Sequence, residues 1–239
     1  MIRLLGLLFA LLASPVGANC RQALALGLDV SGSVDHREYR LQLDGLARAL
    51  LRPTVQQLIL SNPDAPIRLA VYEWSETDHQ RLLLDWIEIL SAADLQGIAQ
   101  RLSAVNRSPA PQGTAVGSAM RFGADLLARQ PECWKRTLDL SGDGKHNLGP
   151  HPRDVKHDLI RSGITINGLV IGADDPSADD ERQVQIGELS AYYNAWVIRG
   201  PGAFVEVALG FDAYEDAMTR KLIKELEGLI LSELSPQTR

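Results

Sequence analysis

The sequence predicts an α/β fold of three layers, α-β-α, doubly wound around a mostly parallel sheet with one antiparallel edge strand. Two observations predict it. The hydrophobic period switches repeatedly between short continuous apolar runs, as buried strands require, and apolar residues spaced three or four apart, as helices require. Strands alternating with helices build βαβ units and hence a parallel sheet. One pair of strand-like runs breaks the alternation: Arg81–Trp86 follows Ile67–Trp74 after the polar turn Ser75–His79. That connection suits an antiparallel pair, with the second run at the sheet edge.

Taken in order, Ala23–Asp29 is an apolar run that ends in turn residues, a buried strand. Residues 35–51 carry Tyr39, Leu43, Leu46 and Leu50 at helical spacing, and Pro53 ends that helix or lies just past it. Ser91–Ser103 is helical, with Ser91 as N-cap. Asn106–Gly113 contains two prolines and reads as a loop before the helix Thr114–Arg129. Arg136–Leu140 is a strand, Pro152–Ser162 a helix and Ile164–Ile171 a strong strand. Asp179–Asn194 is helical, Ala195–Arg199 a short strand, and Phe211–Leu234 a long amphipathic helix. No repeat, linker or low-complexity segment interrupts this pattern, so one domain is expected over 19–235.

Composition narrows the function. Apolar residues are 45% and charged residues 23%, as in ordinary globular chains, so a normal core is available. The net charge of -6 lacks the electrostatic footprint of a nucleic-acid binder. Aromatics, at 5%, are too sparse for base- or sugar-stacking platforms.

Residues 1–18 read as a secretory signal peptide. Arg3 supplies the positive start, and Leu4–Ala13 is an apolar run shorter than the ~20 residues of a membrane span. Val16 and Ala18 then stand where a signal peptidase reads small residues. The alternative is a buried first helix. No comparable run recurs, so no membrane span is expected, and the mature chain is expected in the periplasm or secreted. Export implies an oxidising compartment, where an even cysteine count suggests a bridge. Cys20 and Cys133 each precede a predicted strand by three residues; two unpaired thiols are the alternative.

The chemistry gathers at strand ends. Asp29-Val30-Ser31-Gly32-Ser33 directly follows the first strand. In open parallel sheets, ligands bind beyond the carboxyl ends of strands where strand order reverses. One carboxylate and two hydroxyls, alternating along a tight turn, can face one point. They are hard oxygen ligands, suited to Mg²⁺ and not to zinc. Thr114 opens a helix after the proline-containing loop, and Asp143, in Ser141-Gly142-Asp143-Gly144, follows another strand. Asp-x-Ser-x-Ser alone is a weak signal, because both residues are common in turns. A matching threonine and aspartate in the appropriate elements make it strong.

The Asp-x-Ser-x-Ser, Thr and Asp set resembles the metal-ion-dependent adhesion site, or MIDAS, of von Willebrand factor A domains. The resemblance covers essentially the whole mature chain. Leu28–Asp35, Glu73–Ser75, Ser141–Gly144, Ile164–Leu169 and Gly200–Val205 further resemble a family of exported bacterial proteins carrying this domain. The resemblance implies that Asp29, Ser31, Ser33, Thr114 and Asp143 hold Mg²⁺, with Mn²⁺ as a substitute. It implies a protein partner that presents an Asp or Glu to the ion. One departure exists: the acid follows Ser-Gly here, where many relatives have Ser-Asp-Gly. The usual strand order of the fold places the first strand beside the one near Arg136, which implies a Cys20–Cys133 disulfide.

Other candidates are weaker. His146 and Asn147 follow Asp143, but one histidine without an activated nucleophile specifies no reaction. No Gly-x-Ser-x-Gly surrounds Ser33 or Ser118. The acidic segment 174–181 does not match an EF-hand loop and reads as a solvated helix start. Ser75 and Glu76 are candidate rim residues. The expected function is a non-enzymatic, exported, metal-dependent protein-binding module. A metal-assisted hydrolase of phosphoesterase type, using the same oxygen cluster with Lys145 as phosphate clamp, is the alternative; a third is an ion that only stabilises loops.

Overall fold

The first strand, β1 (Cys20–Asp29), is buried along its whole length. Its side chains alternate between two apolar clusters: Leu24, Leu26 and Leu28 join one, Ala23 and Ala25 the other. A strand covered by helices on both faces needs this pattern. A computed structural model of the chain describes residues 20–172 and 179–234. The segment expected to be a signal peptide, 1–18, and residues 174–178 of the acidic segment lie outside the described residues.

After β1 come α1 (His36–Leu51), α2 (Pro53–Ile59), β2 (Ile67–Trp74), β3 (Gln80–Ile89), α3 (Ala92–Ser103) and α4 (Val116–Ala128). Then follow β4 (Cys133–Gly142), α5 (Pro152–Asp158), β5 (Ile164–Ile171), α6 (Asp179–Tyr192), β6 (Val205–Ala208) and α7 (Tyr214–Leu234). The six strands lie in the order β3-β2-β1-β4-β5-β6. All neighbours are parallel except β2 and β3. The fold is therefore the predicted one, with β3 as the antiparallel edge strand.

Helices α1, α2, α3 and α7 supply the apolar cluster on one face; α4, α5 and α6 cover the other. Strand order reverses at β1, with β2 on one side and β4 on the other. The carboxyl ends of β1 and β4, where Asp29 and Asp143 emerge, thus sit at the reversal point.

Local signals account for the helix starts. Asp35 and Glu38 form a reciprocal capping box at α1. Ser91 does the same with Asp94 at α3, as the N-cap reading expects. At the opposite end of the sheet, the buried Arg21 side chain satisfies the end of α2. Its guanidinium donates to the Leu58 and Ile59 carbonyls, at 3.0 and 2.9 Å, and to Ser61 Oγ at 2.7 Å. Cys20 and Cys133 stand opposite each other in the β1–β4 register and are joined by a disulfide, with their Cα atoms 4.5 Å apart.

Pro53 lies just past the end of α1, as expected, and also opens α2 from its first turn, where a proline's missing N–H costs nothing. Other local expectations are corrected. Residues Ala195–Arg199 are not a strand. Tyr193–Val197 winds as a π-helical turn continuing α6, and only Arg199 bridges to Ile166. Tyr193 and Val197 are both fully buried, four residues apart, so a helical turn places both against the sheet. Val205–Ala208 adds a short sixth strand, and α7 begins at Tyr214 after a tight turn over Phe211–Ala213. Among the described residues, no helix is long and apolar enough to cross a membrane.

Candidate functional site

Asp29 leaves β1 fully buried. Its Oδ1 accepts the Ser31 backbone N–H at 2.8 Å, which folds the turn back on the carboxylate. Its main-chain carbonyl accepts from Gln42 Nε2 of α1 at 2.9 Å. The turn then sets the two hydroxyls side by side, Ser31 Oγ and Ser33 Oγ being 3.3 Å apart. Ser33 Oγ donates to Asp143 Oδ1 at 2.7 Å and so closes a chain of oxygens across 110 residues of sequence. Asp143 follows β4, the neighbour of β1.

Thr114 reaches the same end from the loop before α4. Its N–H donates to Asn147 Oδ1 at 2.8 Å, and its carbonyl accepts the Asn147 N–H at 3.1 Å. Asn147 thereby clamps the threonine loop to the loop carrying Asp143. A Cβ placed on Gly144 would lie 3.7 Å from Thr114 Oγ1, which puts that hydroxyl beside the Asp143 loop. The Gly32 N–H donates to the Gln112 carbonyl at 3.1 Å, and Gly113 N–H donates to Glu76 Oε1 at 3.1 Å.

The structure thus gathers Asp29, Ser31, Ser33 and Asp143 in one bonded chain, with Thr114 beside them. Of the two candidate rim residues, Glu76 is part-exposed and bonds the Gly113 N–H, whereas Ser75 is fully buried. Sequence reasoning missed Gln42, Gln112, Tyr193 and the clamping role of Asn147. Only Asn147, four residues after Asp143, carried any signal.

The electrostatics follow from burial. Desolvation, with the Asp143 charge added to it, pushes the Asp29 carboxyl up to about 8. Burial raises the Asp143 carboxyl too, against the opposing Ser33 hydrogen bond. Burial raises the Tyr193 phenol well above its ordinary value, and the charges of Asp29 and Asp143 add to that rise, which marks Tyr193 as a neighbour of both. Asp29 Oδ2 is buried and has no hydrogen-bond partner. Two neighbouring acids, three hydroxyls and an unsatisfied carboxylate oxygen fit a hard divalent cation, whose charge would relieve the repulsion. Among the described residues no cluster of three or more His, Cys, Asp or Glu side chains forms, so any ion here would rely on the hydroxyls as well as the acids.

The neighbouring basic groups are engaged elsewhere. Lys145 Nζ pairs with Glu188 at 2.9 Å. His146 packs edge-on against His151, ring centroids 5.3 Å apart, and burial with the His151 charge holds its pKa below the usual histidine range.

Residues 19–230 match the family model described as a protein of unknown function, DUF1194. The chain belongs to that family. No curated protein is matched by the chain. Among solved structures, this DUF1194 chain is similar to proximal thread matrix protein 1 of the mussel byssus, at 17% identity and TM-score 0.59. The similarity covers 87% of this chain and 47% of that one. Another structure of the same mussel protein has a zinc-occupied MIDAS motif; it matches at 18% identity and TM-score 0.59, covering 88% of this chain and 46% of that one. A von Willebrand factor type A protein from Catenulispora acidiphila matches at 13% identity and TM-score 0.55, covering 88% and 43% of the two chains. The DUF1194 chain therefore spans less than half the length of these structures, and what they share with it is the von Willebrand factor A fold.

Proposed function

We propose that this chain is an exported, metal-ion-dependent protein-binding module of adhesion type, not an enzyme. Asp29, Ser31, Ser33, Thr114 and Asp143 hold Mg²⁺, or Mn²⁺ in its place, and the ion captures an Asp or Glu presented by a protein partner. The observation that carries this reading is the Ser33–Asp143 hydrogen bond, which joins the turn after β1 to the loop after β4 around the unsatisfied Asp29 Oδ2. A bound Mg²⁺ prefers six oxygen ligands and keeps a position for an incoming one. The zinc-occupied MIDAS motif of the mussel protein supports a divalent ion in this fold. The Cys20–Cys133 disulfide supports an oxidising compartment, with residues 1–18 as signal peptide, 19–235 as the domain, and the periplasm or the exterior as its location.

The hydrolase reading would need a free cation for the phosphate and a general base. Lys145, the candidate clamp, pairs with Glu188 at 2.9 Å.

Calorimetry with Mg²⁺ tests the site: one ion should bind the mature protein, and Asp29→Ala should abolish it. Pull-down from periplasmic extract, with Mg²⁺ or with chelator, tests the capture. Retention should require the ion and should weaken in Thr114→Ala without loss of fold. Turnover of phosphate esters at enzyme-like rates, lost in Asp143→Asn, would replace this reading with the hydrolase.

A further inference from the structure

We propose that Tyr193 is a positioning residue of the metal site, whose hydroxyl, together with the Trp74 indole N–H, serves the outer oxygen of Asp29 across the α-carbon of Gly142. This inference rests on the proposed metal reading and deepens it.

Tyr193 comes from the turn after α6, an element that contributes none of the five ligands. It is fully buried, and its hydroxyl has no hydrogen-bond partner. A Cβ on Gly142 would stand 2.4 Å from that hydroxyl, 3.1 Å from Asp29 Oδ2 and 3.5 Å from Trp74 Cζ2. Side chains from β1, β2 and the α6 turn therefore converge on one small volume at the end of β4. Asp29 Oδ2 and Trp74 Nε1 are likewise buried and unpartnered. Phenol and indole carry two donors and the carboxylate oxygen is an acceptor, all three close to Gly142, yet none is hydrogen-bonded to another.

Packing alone does not explain this arrangement. A phenylalanine would fill the Tyr193 position without a costly unsatisfied hydroxyl, since buried polar groups are nearly always paired. Three unpaired polar groups around one point mark a polar site. Donors within reach of a metal-ligating carboxylate can orient it and keep it in place once the ion draws it into position. The same geometry explains Gly142 itself. Any side chain there would collide with the Tyr193 hydroxyl, so the glycine and the tyrosine form a matched pair.

Tyr193→Phe keeps the ring and removes only the hydroxyl. Calorimetry with Mg²⁺ and Mn²⁺ on the mature chain should then show binding about tenfold weaker. The ion-free melting temperature should stay near that of the wild type. Addition of ion should perturb the near-ultraviolet tyrosine band of the wild type, and that signal should vanish in Tyr193→Phe. Gly142→Ala should weaken binding in the wild-type background and weaken it less in the Tyr193→Phe background, where the colliding atom is gone. Wild-type affinity in Tyr193→Phe, or an equal loss from Gly142→Ala in both backgrounds, overturns the positioning role alone. Failure of the wild type to bind either ion, or undiminished binding by Asp29→Ala, overturns the metal reading and this inference with it.

Discussion

Gln42 shows how a single side chain outside the motif sets the motif's shape. Its amide, buried on the inner face of α1, donates to the Asp29 carbonyl at 2.9 Å and fixes the point where β1 turns. Gln42→Leu is similar in size but leaves that buried carbonyl unpaired. The expected loss is about 1–3 kcal/mol of stability, read by urea unfolding; a loss below a few tenths would mean that the carbonyl finds another donor. Asp29, Ser31 and Ser33 were legible in the sequence because five contiguous residues carry their alternation. Gln42 and Tyr193 were not. A lone glutamine on a helix, or a tyrosine at its end, looks the same whether it faces solvent or a site. Only the packing of α1 and the α6 turn against the sheet brings these groups to Asp29.

At the scale of elements, strands with both faces buried were the most legible. Ile164–Ile171 matches β5 residue for residue because glycines, Gly163 and Gly172, bound its apolar run on both sides. Segments whose composition suits two structures were not: Val197 and Ile198 read as strand, yet burial of Tyr193 and Val197 together favours the turn. Between β4 and α7 lies a buried ionic group that no periodicity reveals. Lys221 of α7 pairs with Asp139 of β4 and lies 3.7 Å from Glu225, which also accepts from Gln22 Nε2 at 2.5 Å. Burial and the Asp139 charge push the Glu225 carboxyl up to about 7, against the pull of Lys221 and Lys135. Below the ordinary value of 4.5 both folded and unfolded chains hold this proton, and Glu225 costs nothing. As pH rises toward 7 the unfolded chain ionises first, so stability falls; above that the deficit is constant. Glu225→Gln removes the titration. Its stability relative to the wild type should therefore rise between pH 4.5 and 7, as measured by urea unfolding across that window. A difference that does not change with pH would show Glu225 titrating as in the unfolded chain.

For the whole molecule, the sheet separates two jobs along its length. The carboxyl ends of β1 and β4 hold the candidate site, while their amino ends hold Cys20 and Cys133, face to face in register. The strand alternation made this sheet legible, and the usual order of the resembled fold made the pairing of β1 with β4 expected. The disulfide closes a sequence separation of 113 residues. Chain-entropy reasoning assigns a loop of this length roughly 4–5 kcal/mol of stabilisation. For a domain of this size that corresponds to a fall in melting temperature on the order of 10 °C when the bridge is removed. The bridge also ties the first residues of β1 to β4. Cys20→Ala/Cys133→Ala should thus melt well below the wild type. Its Mg²⁺ affinity should match the wild type's, because the ligand turns lie a full strand length away and β1 and β4 remain paired by their ladder. Calorimetry and thermal melts on the same pair of proteins check both halves. A large loss of ion affinity at a temperature where the variant is still folded would show that the strand register at the site depends on the bridge.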